Sequence, residues 1–167
     1  MNRPRIIIGI DPGLRHTGWG IVAQNGNRLS FVAAGRISPN ADLPMAVRLL
    51  ALAEGIADVV RLHGPSEAAI EETFMQKNAR SALLLGQARG VAMLALAQSG
   101  LSVAEYAANR IKQSVTGYGH AEKNQIQAMI AMLLPGSGKL AADAADALAV
   151  AITHAHHVDV AKLVAAR

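Results

Sequence analysis

The sequence predicts an α/β domain built on a five-stranded mixed sheet flanked by helices, and three observations carry that expectation. Just over half of the 167 residues are apolar (51%), yet only five are aromatic. Ala, Leu, Ile and Val must therefore fill the core, which suits helices lying close on a sheet. The first forty residues read as three short strands joined by turns, and from there to Tyr106 helical and strand patterns alternate. Hairpin-linked strands followed by helix, strand, helix and strand make a sheet of mixed direction.

The first strand is RIIIGI, closed by the turn Asp11-Pro12-Gly13. The second runs from about Trp19 to Ala23, and Asn25-Gly26 leads into the third, around Leu29 to Ile37. Asn-Gly between apolar runs is a strong hairpin signal, because both positions tolerate positive φ. A helix after Asp42 and Pro44 carries Met45, Leu49, Leu52, Ile56 and Val59 or Val60 on one stripe, and Gly64-Pro65 stops it. EAAIEE is a short strand, and a polar segment then leads into an apolar helix from about Ser81 to Ser99. Gly100 ends that helix before the strand LSVAEY. Beyond Tyr106 the period is helical, with one segment over about Asn109 to Val115 and another carrying Ile126, Met129, Ile130 and Leu133. The loop PGSGK opens a last helix, AADAADALAVAITHAHH. Residues 1–157 are expected to form one domain, with a C-terminal tail over 158–167.

The formal net charge is +4, from 16 Lys and Arg against 12 Asp and Glu. If four of the acids hold cations, 8 are left to face those 16 basic side chains, a surface that attracts polyanions. With no cysteine, disulfides, thiolate metal sites and cysteine nucleophiles are excluded, so a metal must be held by oxygen or imidazole. The apolar run Ile6 to Ile10 is too short for a secretory core, which predicts a soluble, cytoplasmic protein with no membrane partner.

Four acids stand out. Asp11 ends a strand whose apolar content implies burial on both faces; as a lone residue it reads most simply as the opener of a turn. Glu71 and Glu72 end EAAIEE, read as a central strand, where alternation lets at most one of them share a face with Asp11. Asp143 and Asp146, three apart, lie on one side of the first turn of the last helix, where acids also suit the helix dipole. From Ala147 to Ile152, however, that helix has no polar residue, so its aspartates point towards an interior edge where unneutralised charge is costly. Convergent carboxylates are hard oxygen ligands of the kind Mg2+ and Mn2+ prefer. Two such ions about 3.5 to 4 Å apart serve both the attacking and the leaving oxygen of a displacement at phosphorus.

GIDPG followed by TGWG, IEETFMQKNARSALLLGQARG, the region EYAANRIKQSVTGYGHAEKNQI, and ADAADALAVAITH together resemble the RuvC family of bacterial Holliday-junction resolvases, over nearly all of residues 5 to 157. The resemblance implies a ribonuclease-H-like fold, a homodimer, and magnesium-dependent paired nicking of opposite strands at four-way junction DNA. It also implies a branch-migration motor complex as partner, two Mg2+ per active site with Mn2+ able to substitute, and Asp11, Glu71, Asp143 and Asp146 as catalytic metal ligands. Phe74 matches a loop aromatic that stacks on bases, and Lys112 and Lys123 match basic residues close to the scissile strand.

An exposed ring at Phe74, beside Gln76 and Lys77, suits stacking on unpaired bases, although it could equally anchor the loop. Arg110 joins Lys112 and Lys123 in a basic cluster fit to neutralise phosphates, while each alone reads as a solvated helix residue. In the Ser81–Ser99 helix, Gly86 and Gly90 stand four apart among leucines; the helix reads as buried core, and part of it as the two-fold contact. His154, His156 and His157 are assigned to the helix end or surface, and Trp19 to the core. IGIDPGLRHTGWG also resembles the first phosphate loop of actin-like ATPases and sugar kinases, but the chain has neither a second domain nor a second Asp-Gly loop. A catalytically silent junction-binding module is the remaining alternative, and retention of four mutually repelling acids argues against it.

Overall fold

The computed structural model describes residues 3–72 and 78–165, the side chains of 158–165 excepted. The elements are β1 (Arg5–Asp11), β2 (Thr17–Asn25), β3 (Arg28–Ile37), α1 (Met45–His63), β4 (Glu67–Glu72), α2 (Ala79–Gln98), β5 (Val103–Ala107), α3 (Ala108–Thr116), α4 (Lys123–Leu133) and α5 (Ala142–Ala165). The sheet order is β3-β2-β1-β4-β5. β1, β2 and β3 are antiparallel neighbours, whereas β4 runs parallel to β1 and β5 parallel to β4. The expected five-stranded mixed sheet is therefore present. Gly26 makes the β2–β3 turn at φ 58°, and Gly64 ends α1 at φ 56°, both in the left-handed region open to glycine.

Alternation along the strands divides the interior into two layers. Ile8, Ile10 and Ile70 pack with Leu52 and Ile56 of α1 and with Ala88, Ala92 and Leu96 of α2. Ile7, Val22 and Ala69 face the other way, onto α3, α4 and α5. Odd-numbered positions of β1 and β4 therefore look towards α5, and the last odd positions of the two strands are Asp11 and Glu71.

Glycines let α5 lie directly on the sheet. A Cβ on Gly9 would stand 2.2 Å from the Ala147 carbonyl oxygen, one on Gly18 1.9 Å from that of Asp143, and one on Gly20 2.7 Å from the Leu148 side chain. Every side chain from Ala147 to Ile152 is buried to within 1%. Full burial of Leu148, Val150 and Ile152 stabilises the helix on the sheet by about 1.5 to 3 kcal/mol each. The helix runs on past His157, where a tail is expected to begin, to Ala165.

Two expectations are modified. α2 buries Ala88, Ala92, Ala95 and Leu96 but leaves Leu83 and Leu94 71% and 57% exposed, with open space beside Gly86 and Gly90, so it is a one-sided helix. His154 is buried, because it continues the inward stripe of Ala147 and Ala151, three to four residues apart. Its Nε2 donates to Glu67 Oε2 at 2.9 Å and its Nδ1 lies 2.9 Å from the Tyr106 hydroxyl, while Arg5 grips the same carboxylate with two bonds of 2.6 Å. This network ties β1, β4, β5 and α5 together. No helix among the described residues is long and apolar enough to cross a membrane.

Candidate active site

Asp11, Glu71, Asp143 and Asp146 line one cleft of about 390 Å³. Each arrives there for a local reason. Asp11 and Glu71 are the α5-facing ends of adjacent parallel strands, and alternation sends Glu72 to the opposite face, outside the cleft lining. The Arg89 Nε donates to the Glu71 carbonyl oxygen at 3.1 Å and pins the end of β4. Asp143 and Asp146 are set by the contact of α5 with Gly18, which stands opposite Asp11 in the β1–β2 register. The floor is apolar, formed by Ile111, Ile126 and Ala149.

The electrostatics are those of crowded, partly desolvated acids. Burial, followed by the charges of Glu71, Asp146 and Asp143, pushes the Asp11 carboxyl up from 3.8 to about 8, against the opposing pull of Lys123. Burial and the Asp146 charge raise Glu71, while Lys112 and Lys123 oppose the rise. Burial, with Asp143 adding, raises Asp146 although Lys123 holds it down. Two or three carboxylates sharing a half-dry cleft cannot all ionise without compensation, and the cations at hand are few. Lys123 Nζ is 3.7 Å from Asp146 Oδ2 but 77% exposed, and Lys112 lines the same wall. Among the described residues no three acidic or imidazole groups are already closed into a metal shell. The donor set nevertheless fits hard divalent cations: oxygen ligands only, excess negative charge, and an open mouth.

Arg110 falls elsewhere. Two residues along a helix rotate a side chain by about 200°, so while Lys112 faces the cleft, Arg110 points to the far side and donates to His157 Nε2. Phe74 and Lys77 lie outside the described residues. Trp19 packs half-buried on the α1 side, its ring 5.7 Å from that of His63. The sequence reading missed Arg36, which approaches Asp143 from β3 with Nη1 4.0 Å from Oδ2. It also missed Arg89, whose signal was a lone arginine at the middle of an apolar helix.

Residues 7–154 match the family model described as crossover junction endodeoxyribonuclease RuvC. The crossover junction endodeoxyribonuclease RuvC of Rhodopseudomonas palustris strain TIE-1 is 58% identical over 157 residues, covering 94% of this chain and 90% of the relative. That of Bradyrhizobium diazoefficiens is 59% identical over 154 residues, covering 92% and 88%. Among solved structures, Thermus thermophilus RuvC in complex with Holliday junction substrate superposes with a TM-score of 0.85 at 29% identity, covering 92% of this chain and 94% of that one. The yeast mitochondrial Holliday junction resolvase Ydc2 shares the fold, with a TM-score of 0.67 at 9% identity.

Proposed function

The chain belongs to the RuvC family of crossover junction endodeoxyribonucleases, ribonuclease-H-like in fold, and from that premise we propose that it resolves four-way DNA junctions by symmetric, metal-dependent paired nicks on opposite strands. The observation that carries this reading is the single cleft into which three distant segments deliver Asp11, Glu71, Asp143 and Asp146.

Those four carboxylates would hold two Mg2+ ions, with Mn2+ able to substitute. When bound, the ions supply activation of the attacking water and neutralise the charge developing on the departing 3′ oxygen. The protein's own part is to place the phosphodiester. Lys112 and Lys123 meet the non-bridging oxygens and orient the scissile phosphate over the acids. The apolar floor of Ile111, Ile126 and Ala149 limits the water around them. Attack by water leaves a 5′ phosphate and a 3′ hydroxyl, ends that a ligase can reseal. Arg36, beside Asp143, would orient that carboxylate from the β3 side. Phe74 and Lys77 are proposed to engage the bases and backbone at the crossover.

Two cuts need two sites, so the protein acts as a two-fold dimer. The exposed Leu83, Gly86, Gly90 and Leu94 face of α2 is the proposed contact, since the glycines let a partner backbone approach and the leucines gain from being covered. A branch-migration motor complex is the proposed further partner, and the cytoplasm the proposed location. The ATP-binding and catalytically silent alternatives find no support in a family match of this extent.

The deciding experiment compares cleavage of an immobile four-way junction with that of matched linear duplex, with and without Mg2+. Symmetric nicks in the junction alone, dependent on Mg2+, are expected. Equal cutting of both substrates would instead indicate a general nuclease.

A further inference from the structure

Across the end of the sheet from the carboxylate cleft lies a second concavity of about 360 Å³, between the β1–β2 loop and the N-terminal turns of α1 and α2. Arg15, Arg48 and Ser81 supply its polar lining, and Leu14, Leu84 and Leu85 its apolar wall. Among the described residues no acid lines it, so within that lining two guanidinium groups share the space without a facing carboxylate. Arg48 is only partly satisfied. Its Nη2 donates to the Leu14 carbonyl oxygen at 3.4 Å, at the long end of the range, and its Nε is buried with no hydrogen-bond partner among the described residues. A buried donor on a cation calls for an acceptor, preferably an anionic one, and a planar guanidinium matches two oxygens of a phosphate. The Asn78 side chain already takes the amides of Arg80 and Ser81, so the arginines, and not the helix end, must hold any anion there.

Position identifies the anion's source. The loop that carries Leu14 and Arg15 begins immediately after Asp11, so the concavity and the cleft flank the same turn, one on the α1/α2 face and one on the α5 face. A polymer anchored at the cleft and crossing this turn is led to Arg15 and Arg48, whereas a small free anion has no reason to be placed relative to Asp11. We propose that Arg15 and Arg48 form a second phosphate-holding site, which takes the DNA backbone of the cleaved strand after it leaves the cleft and passes over residues 12–16. The site rests on the junction-nuclease reading and extends it. It fixes the strand on both sides of the turn, so that the scissile phosphate cannot slide along the cleft.

The test uses the full chain with Arg15→Ala and Arg48→Met, the latter keeping the apolar stem while removing the charge. Binding to a synthetic four-way junction is measured without divalent ions over a range of salt concentrations, with melting temperature as the check on folding. Each variant is expected to weaken binding about tenfold and to flatten the log–log salt slope by about one. Methylphosphonates, which remove one backbone charge at a time, are then scanned along the cut strand. Neutralising a phosphate one to three nucleotides from the cut is expected to weaken the wild type and leave the Arg15→Ala variant unmoved, which assigns that phosphate to the site. If Arg48→Met does not fold, Arg15→Ala decides alone. Folded variants with wild-type slopes, or a variant as sensitive as wild type at every position scanned, overturn the proposal. Wild-type protein that neither binds nor cuts the junction overturns the nuclease reading and this one together, whereas normal wild-type cutting beside unchanged slopes overturns this one only.

Discussion

Replacing Asp11 by Asn should make the metal-free protein more stable and the enzyme inactive. The Asp11 carboxyl titrates at about 8 instead of 3.8, chiefly because it is buried and faces Glu71, Asp146 and Asp143. A folded-state pKa raised in this way favours the folded state fully below the unfolded value near 4, and the advantage is lost as pH rises towards 8. At pH 7 the folded group still holds its proton while the unfolded one has lost it, so folding has cost 1.36 kcal/mol for each of roughly three pH units, a ceiling of about 4 kcal/mol. Relaxation and water in the open cleft reduce this to about 1 to 3 kcal/mol. Asn carries no charge to desolvate, so the advantage of Asp11→Asn should be close to nil at pH 4 and grow to its full size by pH 8. Urea unfolding in a chelator, repeated across that range, measures it. Adding Mg2+ should then raise the midpoint of the wild type more than that of the variant, because the variant has lost one carboxylate ligand although Glu71, Asp143 and Asp146 still crowd one another. A variant equal to or less stable than wild type at every pH would refute the crowding of charge on which the site assignment depends.

Three further outcomes follow from the same geometry. Gly18→Ala places a Cβ 1.9 Å from the Asp143 carbonyl oxygen; it should cost about 1 to 3 kcal/mol by overpacking. By shifting the start of α5 some 1 Å it should also slow cleavage about 100-fold, read by single-turnover kinetics beside an unfolding curve, and wild-type cutting would show that the α5 contact does not set the aspartates. Lys123→Ala removes a mostly exposed cation that leans on Asp146 at 3.7 Å; the salt slope of junction binding should fall by about one, and an unchanged slope takes this lysine off the DNA path. Leu94→Glu, at a residue 57% exposed on the open face of α2, should leave the melting temperature of the monomer nearly unchanged while dispersing the dimer in sedimentation at micromolar concentration. Wild-type protein sedimenting as a monomer would remove the proposed two-fold contact.

Short-range pattern alone established much of this molecule. Apolar strands closed by Asp-Pro-Gly and Asn-Gly, a helix stopped by Gly64, and an uninterrupted apolar run after Asp146 gave the elements, their order and a mixed sheet, because turn chemistry and side-chain periodicity act over a few residues. Alternation even limited the pair Glu71 and Glu72 to one member on the Asp11 face. What it could not contain is distance between segments. Only packing showed that Gly9, Gly18 and Gly20 clear a lane for α5 and so bring Asp143 and Asp146 to Asp11. Only packing turned Arg110 away from the cleft to His157, buried His154 against Glu67, and set Arg36 beside Asp143. Those contacts join residues from 47 to more than 100 positions apart, and no local period encodes a meeting that depends on how two faces of a sheet are filled.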